Sequence, residues 1–314
     1  MKESEYTKLF LSEPALRNKP KIEMSNPSAY VDSMLHFGSQ SNFSMAWRYI
    51  KEPMLFDRIP HKHKFDEFLC FLGANLEDMF DFDATIELSM GEECEVYLIE
   101  QATVVYIPSG LVHTPLTFKR IVKPVLFHPI ALIPDYYSNF SNNVQFLSEL
   151  RMARQVSSPN STAVGARVSE KKYAKYFLTE PELRTKFAIP TMAPSALVEA
   201  KTHFGVDSNL SVAWRYITTP MVMDEIPHAH PGFDEYLVFL GGNLENMFDF
   251  DADIEISMGK EREIYKINKA TVIYIPKGLF HCPINFKRIG KPVLFQPIPL
   301  TPAYYSMGEA SKIR

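Results

Sequence analysis

PHKHKFDEFLCFLG at 60–73 and PHAHPGFDEYLVFLG at 227–241 are one stretch written twice, with a single residue inserted in the second copy. The flanks repeat as well. HFGSQSNFSMAWRYI at 36–50 returns as HFGVDSNLSVAWRYI at 203–217, and KLFLSEPALR at 8–17 returns as KYFLTEPELR at 175–184, both displaced by 167. Downstream, MFDFDATIELSMG at 79–91 returns at 247–259 and TVVYIPSGLVHTPL at 103–116 returns at 271–284, now displaced by 168, so the insertion lies at Pro231-Gly232. A period of that length is a whole domain rather than a solenoid unit. The expected organisation is a first domain over 1–137, a linker over 138–171 and a second domain over 172–314. The linker contains SSPNSTAVG and has no counterpart in either copy. At its start, the spacing of Val144, Leu147, Leu150 and Met152 predicts a short amphipathic helix.

Within each copy the patterns are those of strands. Phe43, Met45, Trp47 and Tyr49 alternate with Ser44, Ala46 and Arg48, and short apolar runs follow at 68–72, 85–90, 96–99, 103–107 and 125–127. Gly73, Met90-Gly91, Pro108-Ser109-Gly110 and Lys123-Pro124 separate them, which is the turn spacing of an all-β sandwich or barrel. Helix is expected only in short N-terminal pieces, PSAYVDSMLHF at 27–37 and PSALVEAKTHF at 194–204, and in the linker. Residues 5–35, retained in both copies, are expected to pack against their own barrel or across to its neighbour.

Composition removes several function classes. Of 314 residues, 46% are hydrophobic and 22% charged, which rules out a wholly disordered or fibrous chain. A net charge of -4 offers no broad positive field for nucleic acid or an anionic membrane, so neither is expected as a partner. No uncharged apolar run approaches the roughly 18 residues that span a bilayer, and the charged N-terminus lacks the core of a signal peptide. Cys70, Cys94 and Cys282 are too few and too scattered for a disulfide framework or a CxxC zinc site, so a cytoplasmic location is expected.

The histidines carry the chemistry. His61, His63, His113 and His36 pair with His228, His230, His281 and His203, whereas His128 is replaced by Gln296. Side chains two apart in a strand share a face, so each HxH is a two-toothed grip. Glu67 and Glu235 follow at a spacing that demands a turn, after which the glutamate can open a new strand and face the imidazoles from a neighbour. The last histidine begins a strand after IPSGLVH or IPKGLFH. Cys282, next to His281, is expected on the opposite face, and His36 and His203 read as helix-end caps.

The segment His61-x-His63-x3-Glu67-x5-Gly73 with Pro108-x-Gly110-x2-His113, and its copy from His228 to Gly241 with Pro276-x-Gly278-x2-His281-x3-Asn285, resembles the two motifs of the cupin superfamily. Two such pairs in one chain resemble a bicupin, over about 30–137 and 197–305. The sequence departs from the pattern at Leu55, Val222, Ala102 and Ala270, where glycine often stands, and at Thr117, the counterpart of Asn285. What the resemblance implies is two tandem antiparallel jelly-roll barrels. Each would hold one divalent metal, by His61, His63, Glu67 and His113 in the first and by His228, His230, Glu235 and His281 in the second.

Mixed nitrogen and oxygen ligation without thiolate suits Fe, Mn, Ni, Co or Zn, and three imidazoles plus one carboxylate leave positions open on an octahedral ion. The expected function is that of a metal-dependent enzyme acting on a small oxygen-chelating molecule by dioxygenation, isomerisation or decarboxylation. A non-catalytic binding or sensing bicupin, with structural or absent metal, is the alternative. Arg48 and Arg215 are the substrate-binding candidates, as clamps for a carboxylate, against the ordinary expectation of a solvent-facing strand arginine. No catalytic group is identified, and a homodimer of chains is compatible with the repeat.

Overall fold

The FLCFL and YLVFL runs form strands that are buried along their whole length, Glu67–Gly73 and Glu235–Gly241. Continuous rather than alternating hydrophobicity means that both faces of such a strand are covered. One face looks into its own barrel, where Phe71, Phe118, Phe127 and Ile86 pack together. The other meets the second barrel, in a shared cluster that includes Trp47, Phe68 and Phe43 of the first copy and Trp214, Tyr236 and Val238 of the second. Phe43 stacks on Tyr236 with ring centroids 4.3 Å apart. The computed structural model describes residues 5–17, 28–147, 171–180, 182–184 and 196–305.

Each barrel is two antiparallel sheets. In the first, the strands Thr103–Ile107, Glu67–Gly73, Val125–Ala131, Ser44–Ile50 and Ala29–Asp32 lie side by side in that order. Opposite them run His61–His63, His113–Ile121, Ala84–Met90 and Glu95–Ile99, with Met54–Asp57 also paired to His113–Ile121. The second copy repeats this scheme with the strands Thr271–Ile275, Glu235–Gly241, Val293–Pro299, Ser211–Ile217 and Ala196–Glu199 in one sheet. Apart from Met54–Asp57, Ala29–Asp32 and Ala196–Glu199, these strands contain the runs expected from the sequence, and the fold is all-β.

The edges are exchanged between the copies. Phe10–Ser12 pairs with Thr271–Ile275 of the second barrel, and Phe177–Thr179 pairs with Thr103–Ile107 of the first. The N-terminal segment therefore packs across to the neighbour, and each exchanged strand covers an edge that would otherwise offer unpaired backbone groups. Thus 10–12 extends a sheet of the second barrel and 177–179 a sheet of the first.

Three local expectations need correction. The segments 27–37 and 194–204 are mostly not helical: Ala29–Asp32 and Ala196–Glu199 are strands, and only Ser33–Phe37 and Ala200–Phe204 form single helical turns. Pairing with Ser44–Trp47 and Ser211–Trp214 overrides the local pattern. In the linker, Phe140–Asn143 is one helical turn and Val144–Phe146 is a strand paired with His61–His63, so Val144 is not on an amphipathic helix; 148–170 lie outside the described residues. No helix among the described residues is long and apolar enough to cross a membrane.

Gly73 and Gly241 close the buried strands where the chain returns tightly. A Cβ on Gly73 would lie 2.7 Å from the Asp81 carbonyl oxygen, and one on Gly241 would lie 2.6 Å from that of Asp249. Gly73→Ala and Gly241→Ala should each destabilise the protein by about 1–3 kcal/mol in chemical denaturation. Gly232→Ala, where a Cβ meets nothing within 4 Å, should stay within about 0.5 kcal/mol of wild type, and equal losses at all three positions would refute the steric account.

Candidate metal centres

His61 and His63 point inward from a three-residue strand held on both sides, by His113 against His61 and by Val144 and Phe146 against His63 and His61. His113 opens its strand after a turn in which Gly110 adopts φ +83 and donates its backbone N–H to the His63 carbonyl at 2.8 Å. That left-handed conformation is why glycine stands there. Glu67 also opens a strand, as expected, but in the facing sheet of the barrel rather than on a neighbouring strand. In the second copy, His228 and His281 exchange two backbone hydrogen bonds at 3.0 and 2.9 Å, and Glu235 opens the facing strand. All eight side chains are buried, none more than 4% exposed.

Backbone carbonyls set the orientation of the rings. The Nδ1 atoms of His61, His63 and His113 lie 3.2, 2.7 and 3.1 Å from the carbonyl oxygens of Ile59, Phe65 and Leu111. His228 and His281 repeat this at 3.1 Å each, with Ile226 and Leu279. A carbonyl only accepts, so Nδ1 carries the proton and Nε2 presents a lone pair. Those lone pairs converge on the glutamates: His63 and His113 Nε2 lie 3.3 and 3.4 Å from Glu67 Oε2, and His230 and His281 Nε2 lie 3.4 and 3.2 Å from Glu235 Oε2.

Of the residues named from the sequence, His63, Glu67 and His113 bring their ligand atoms within 4.8 Å of one another, as do His230, Glu235 and His281. The remaining histidine stands beside each triad. The His61 ring centroid is 4.3 Å from that of His113, and that of His228 is 4.6 Å from that of His281. His61 Nε2 is buried with no hydrogen-bond partner. Several acceptors aimed at one point around an anionic carboxylate repel one another unless a cation lies between them, so the donor set fits a divalent ion.

The protonation states agree with that geometry. Burial alone would push the Glu67 carboxyl up, but with no ion between the groups a proton on the Nε2 of His113 or His63 outweighs it and holds the carboxyl well below the usual carboxylate range. Glu235 is held down in the same way by His230 and His281. Burial, reinforced by His113, pushes His61 down to about 3, which keeps the ring neutral and able to ligate.

A cavity of about 40 Å³ adjoins the first quartet, lined also by Arg48, Asp57, Tyr136 and Tyr137. Its counterpart, about 140 Å³, is lined by Arg215, Asp224, Tyr304 and Tyr305. The structure places Arg48 inside the barrel, 5% exposed, with its guanidinium 5.0 Å above the Phe56 ring. Arg215 is half-buried, and that burial works against its charge. The aspartates and tyrosine pairs were not singled out from the sequence, although both repeat: FDRIPH returns as MDEIPH, and PDYY returns as PAYY.

The expectation for Cys282 fails. Thr114 and Cys282 occupy equivalent positions and both have φ +70, which breaks strand alternation directly after the histidine. Thr114 Oγ1 donates to the Ile59 carbonyl at 2.8 Å and lies 3.3 Å from His61 Nδ1. Cys282 lines the second cavity, and its sulfur falls within 4.8 Å of ligand atoms of His228 and His281.

No family model matches this chain, and no curated protein matches it. Among solved structures it is similar to oxalate decarboxylase from Bacillus subtilis at pH 4.6, with a TM-score of 0.57, 13% identity, and 94% of this chain and 77% of that one covered. The oxalate decarboxylase of Lactobacillus farciminis in its formate complex gives a TM-score of 0.59 at 13% identity, over 97% and 88% of the two chains. A further Bacillus subtilis structure, from work on the Mn(II) centres of that enzyme, gives 0.56 at 13% identity, over 94% and 78%. The fold is that of a bicupin. Each quartet lies between the two sheets of its barrel.

Asp57 supplies a pH test of the first cavity. Burial pushes its carboxyl up to about 6, from an ordinary value of 3.8 in the unfolded chain. A raised carboxyl stabilises the fold fully below its unfolded value, and that contribution is lost as pH rises through about 6. In chelator-treated protein, Asp57→Asn should melt like wild type below about pH 4 and be more stable above about pH 6, by at most about 3 kcal/mol. A difference in melting temperature that does not change with pH would remove Asp57 as the proton holder.

Proposed function

We propose that this bicupin is a metal-dependent enzyme with one divalent transition ion per barrel (Fe, Mn, Ni, Co or Zn), acting on a small oxygen-chelating carboxylate. His61, His63, Glu67 and His113 would hold one ion, and His228, His230, Glu235 and His281 the other. The observation that carries this reading is a buried arginine, Arg48, in the same 40 Å³ cavity as the first quartet. A guanidinium in a dry pocket recognises a carboxylate by paired hydrogen bonds. The volume suits a molecule of few heavy atoms, since each water-sized group takes about 10–15 Å³ of such space.

A divalent ion in that position supplies Lewis acidity toward a bound oxygen. The chain's own residues do the rest. Arg48 orients the carboxylate, Phe56 and Phe127 keep water out, and Asp57 lines the same cavity with its Oδ2 3.3 Å from His61 Nδ1. Loss of carbon dioxide from a small acid leaves a carbon that needs a proton, and Asp57 is placed to give one. Decarboxylation is therefore the reaction class we favour over dioxygenation or isomerisation. Likeness in fold to oxalate decarboxylases supports it without carrying it.

The two cavities, about 40 and 140 Å³, with Thr114 in one and Cys282 in the other, support different ligands in the two barrels. We take the barrels to be the units 1–137 and 172–314, joined through 138–171, apart from the exchanged edge strands. No disulfide joins the three cysteines, and Cys70 and Cys282 are buried, which suits a reducing cytoplasm.

Protein purified without an affinity tag should contain about two divalent ions per chain by elemental analysis, and Glu67→Gln should lower this to about one. Wild type should release carbon dioxide from oxalate or another small di- or 2-oxo acid without consuming oxygen. Arg48→Ala should keep its metal yet lose about 100-fold in turnover. Protein that holds no metal and takes up none of the five ions on incubation would end this reading. Oxygen uptake in step with turnover would replace decarboxylation by dioxygenation.

A further inference from the structure

Asp66 and Asp234 each immediately precede a glutamate of the quartets, and neither lines the cavities. Their two carboxylate oxygens point to different places. Asp66 Oδ1 accepts the backbone N–H of Ser109 at 2.9 Å, and Asp234 Oδ1 accepts that of Lys277 at 2.8 Å. Those amides lie in the Pro-x-Gly turns that lead into His113 and His281. Each aspartate therefore ties the start of the glutamate strand to the turn that delivers the last histidine. The same turns are joined to the HxH segment, since Gly110 and Gly278 donate to the carbonyls of His63 and His230 at 2.8 Å.

The second oxygen crosses to the other copy. Asp66 Oδ2 accepts from the hydroxyl of Ser208, which also lies 3.2 Å from the Tyr106 hydroxyl. Asp234 Oδ2 accepts from Ser41 Oγ at 2.7 Å and from the Tyr274 hydroxyl at 3.2 Å. Ser41 and Ser208 are equivalent residues, in the loops before the Ser44–Ile50 and Ser211–Ile217 strands, and both are largely buried at 9% and 8% exposure. The exchange is reciprocal: a serine of the second copy holds the aspartate of the first, and a serine of the first holds the aspartate of the second.

We propose that Ser208 and Ser41 are positioning residues that act in trans, each setting the geometry of the quartet in the barrel to which it does not belong. A hydrogen bond to a carboxylate is among the stronger ones. Losing it frees the aspartate to rotate, and the turn before the histidine then loses its anchor. The proposal rests on the metal-binding reading for its consequence, but the mechanical link does not.

Hydrogen exchange on the metal-free full-length chain separates the two. Ser208→Ala should speed amide exchange about tenfold at 108–113 and leave 276–281 unchanged, Ser41→Ala should do the reverse, and Ser208→Thr should restore protection. Titration with Mn(II) then reads the consequence. In a Glu235→Gln background, where only the first quartet is intact, Ser208→Ala should weaken Mn(II) binding about tenfold while Ser41→Ala changes it less than twofold. Exchange that rises in the serine's own copy, in both copies equally or in neither overturns the proposal, as do equal Mn(II) shifts from the two serines. Trans exchange effects in a protein that binds none of the five ions would uphold the link and instead overturn the metal-dependent function.

Discussion

A glutamate that opens a strand in one sheet faces imidazoles presented by the opposite sheet of the same barrel, with Glu67 Oε2 3.3 and 3.4 Å from two of them. That contact exists only when the barrel is closed, because the strands concerned are not neighbours in either sheet. Closure in turn depends on phenylalanines that fill the interior, Phe71, Phe118 and Phe127 among them, which leave a small dry space at one end. Burial, acceptor-only chemistry and ring orientation follow from the same placement. Outside such a space the charges would be screened by water, and the carbonyl contacts that fix Nδ1 would compete with it.

The barrels are not independent. Their larger sheets share one apolar cluster, their edge strands are exchanged, and a pair of serines reaches across to the aspartates beside the glutamates. This arrangement accounts for strands that read as unbroken apolar runs, since each has a barrel interior on one side and another protein face on the other. It also accounts for the retention of KLFLSEPALR in both copies. In each copy that segment completes the other barrel's sheet rather than its own.

Duplication has left differences around the two quartets. Cys282 stands in the second copy where the first has Thr114, the cavities differ in volume by about 100 Å³, and Pro231-Gly232 lengthens the path from His230 to Glu235. In the first barrel Val144–Phe146 adds a strand beside His61–His63, and Phe146 lies 5.7 Å from the His61 ring. The histidines and the glutamate are the same in both copies, so these differences concern the surroundings of each quartet rather than the quartet itself.

Sequence alone determined the duplication, most of the barrel strands, and the pairing of each HxH with a later glutamate and histidine, because repetition and period-two patterning are local properties of the chain. Arg48 was legible as a candidate only through its strand position, and its inward direction came from the packing around it. The tertiary structure alone decided that Ala29–Asp32 is a strand, since its partner Ser44–Trp47 is distant in sequence. It likewise decided that Cys282 turns toward the cavity, since a left-handed residue ends the alternation on which its expected direction rested. Asp57, Tyr136 and Ser208 stayed invisible as site residues for a related reason. Their roles arise from contacts between segments that no spacing rule connects, and the exchange of edge strands between barrels depends on which sheet edge lies nearest in the folded molecule.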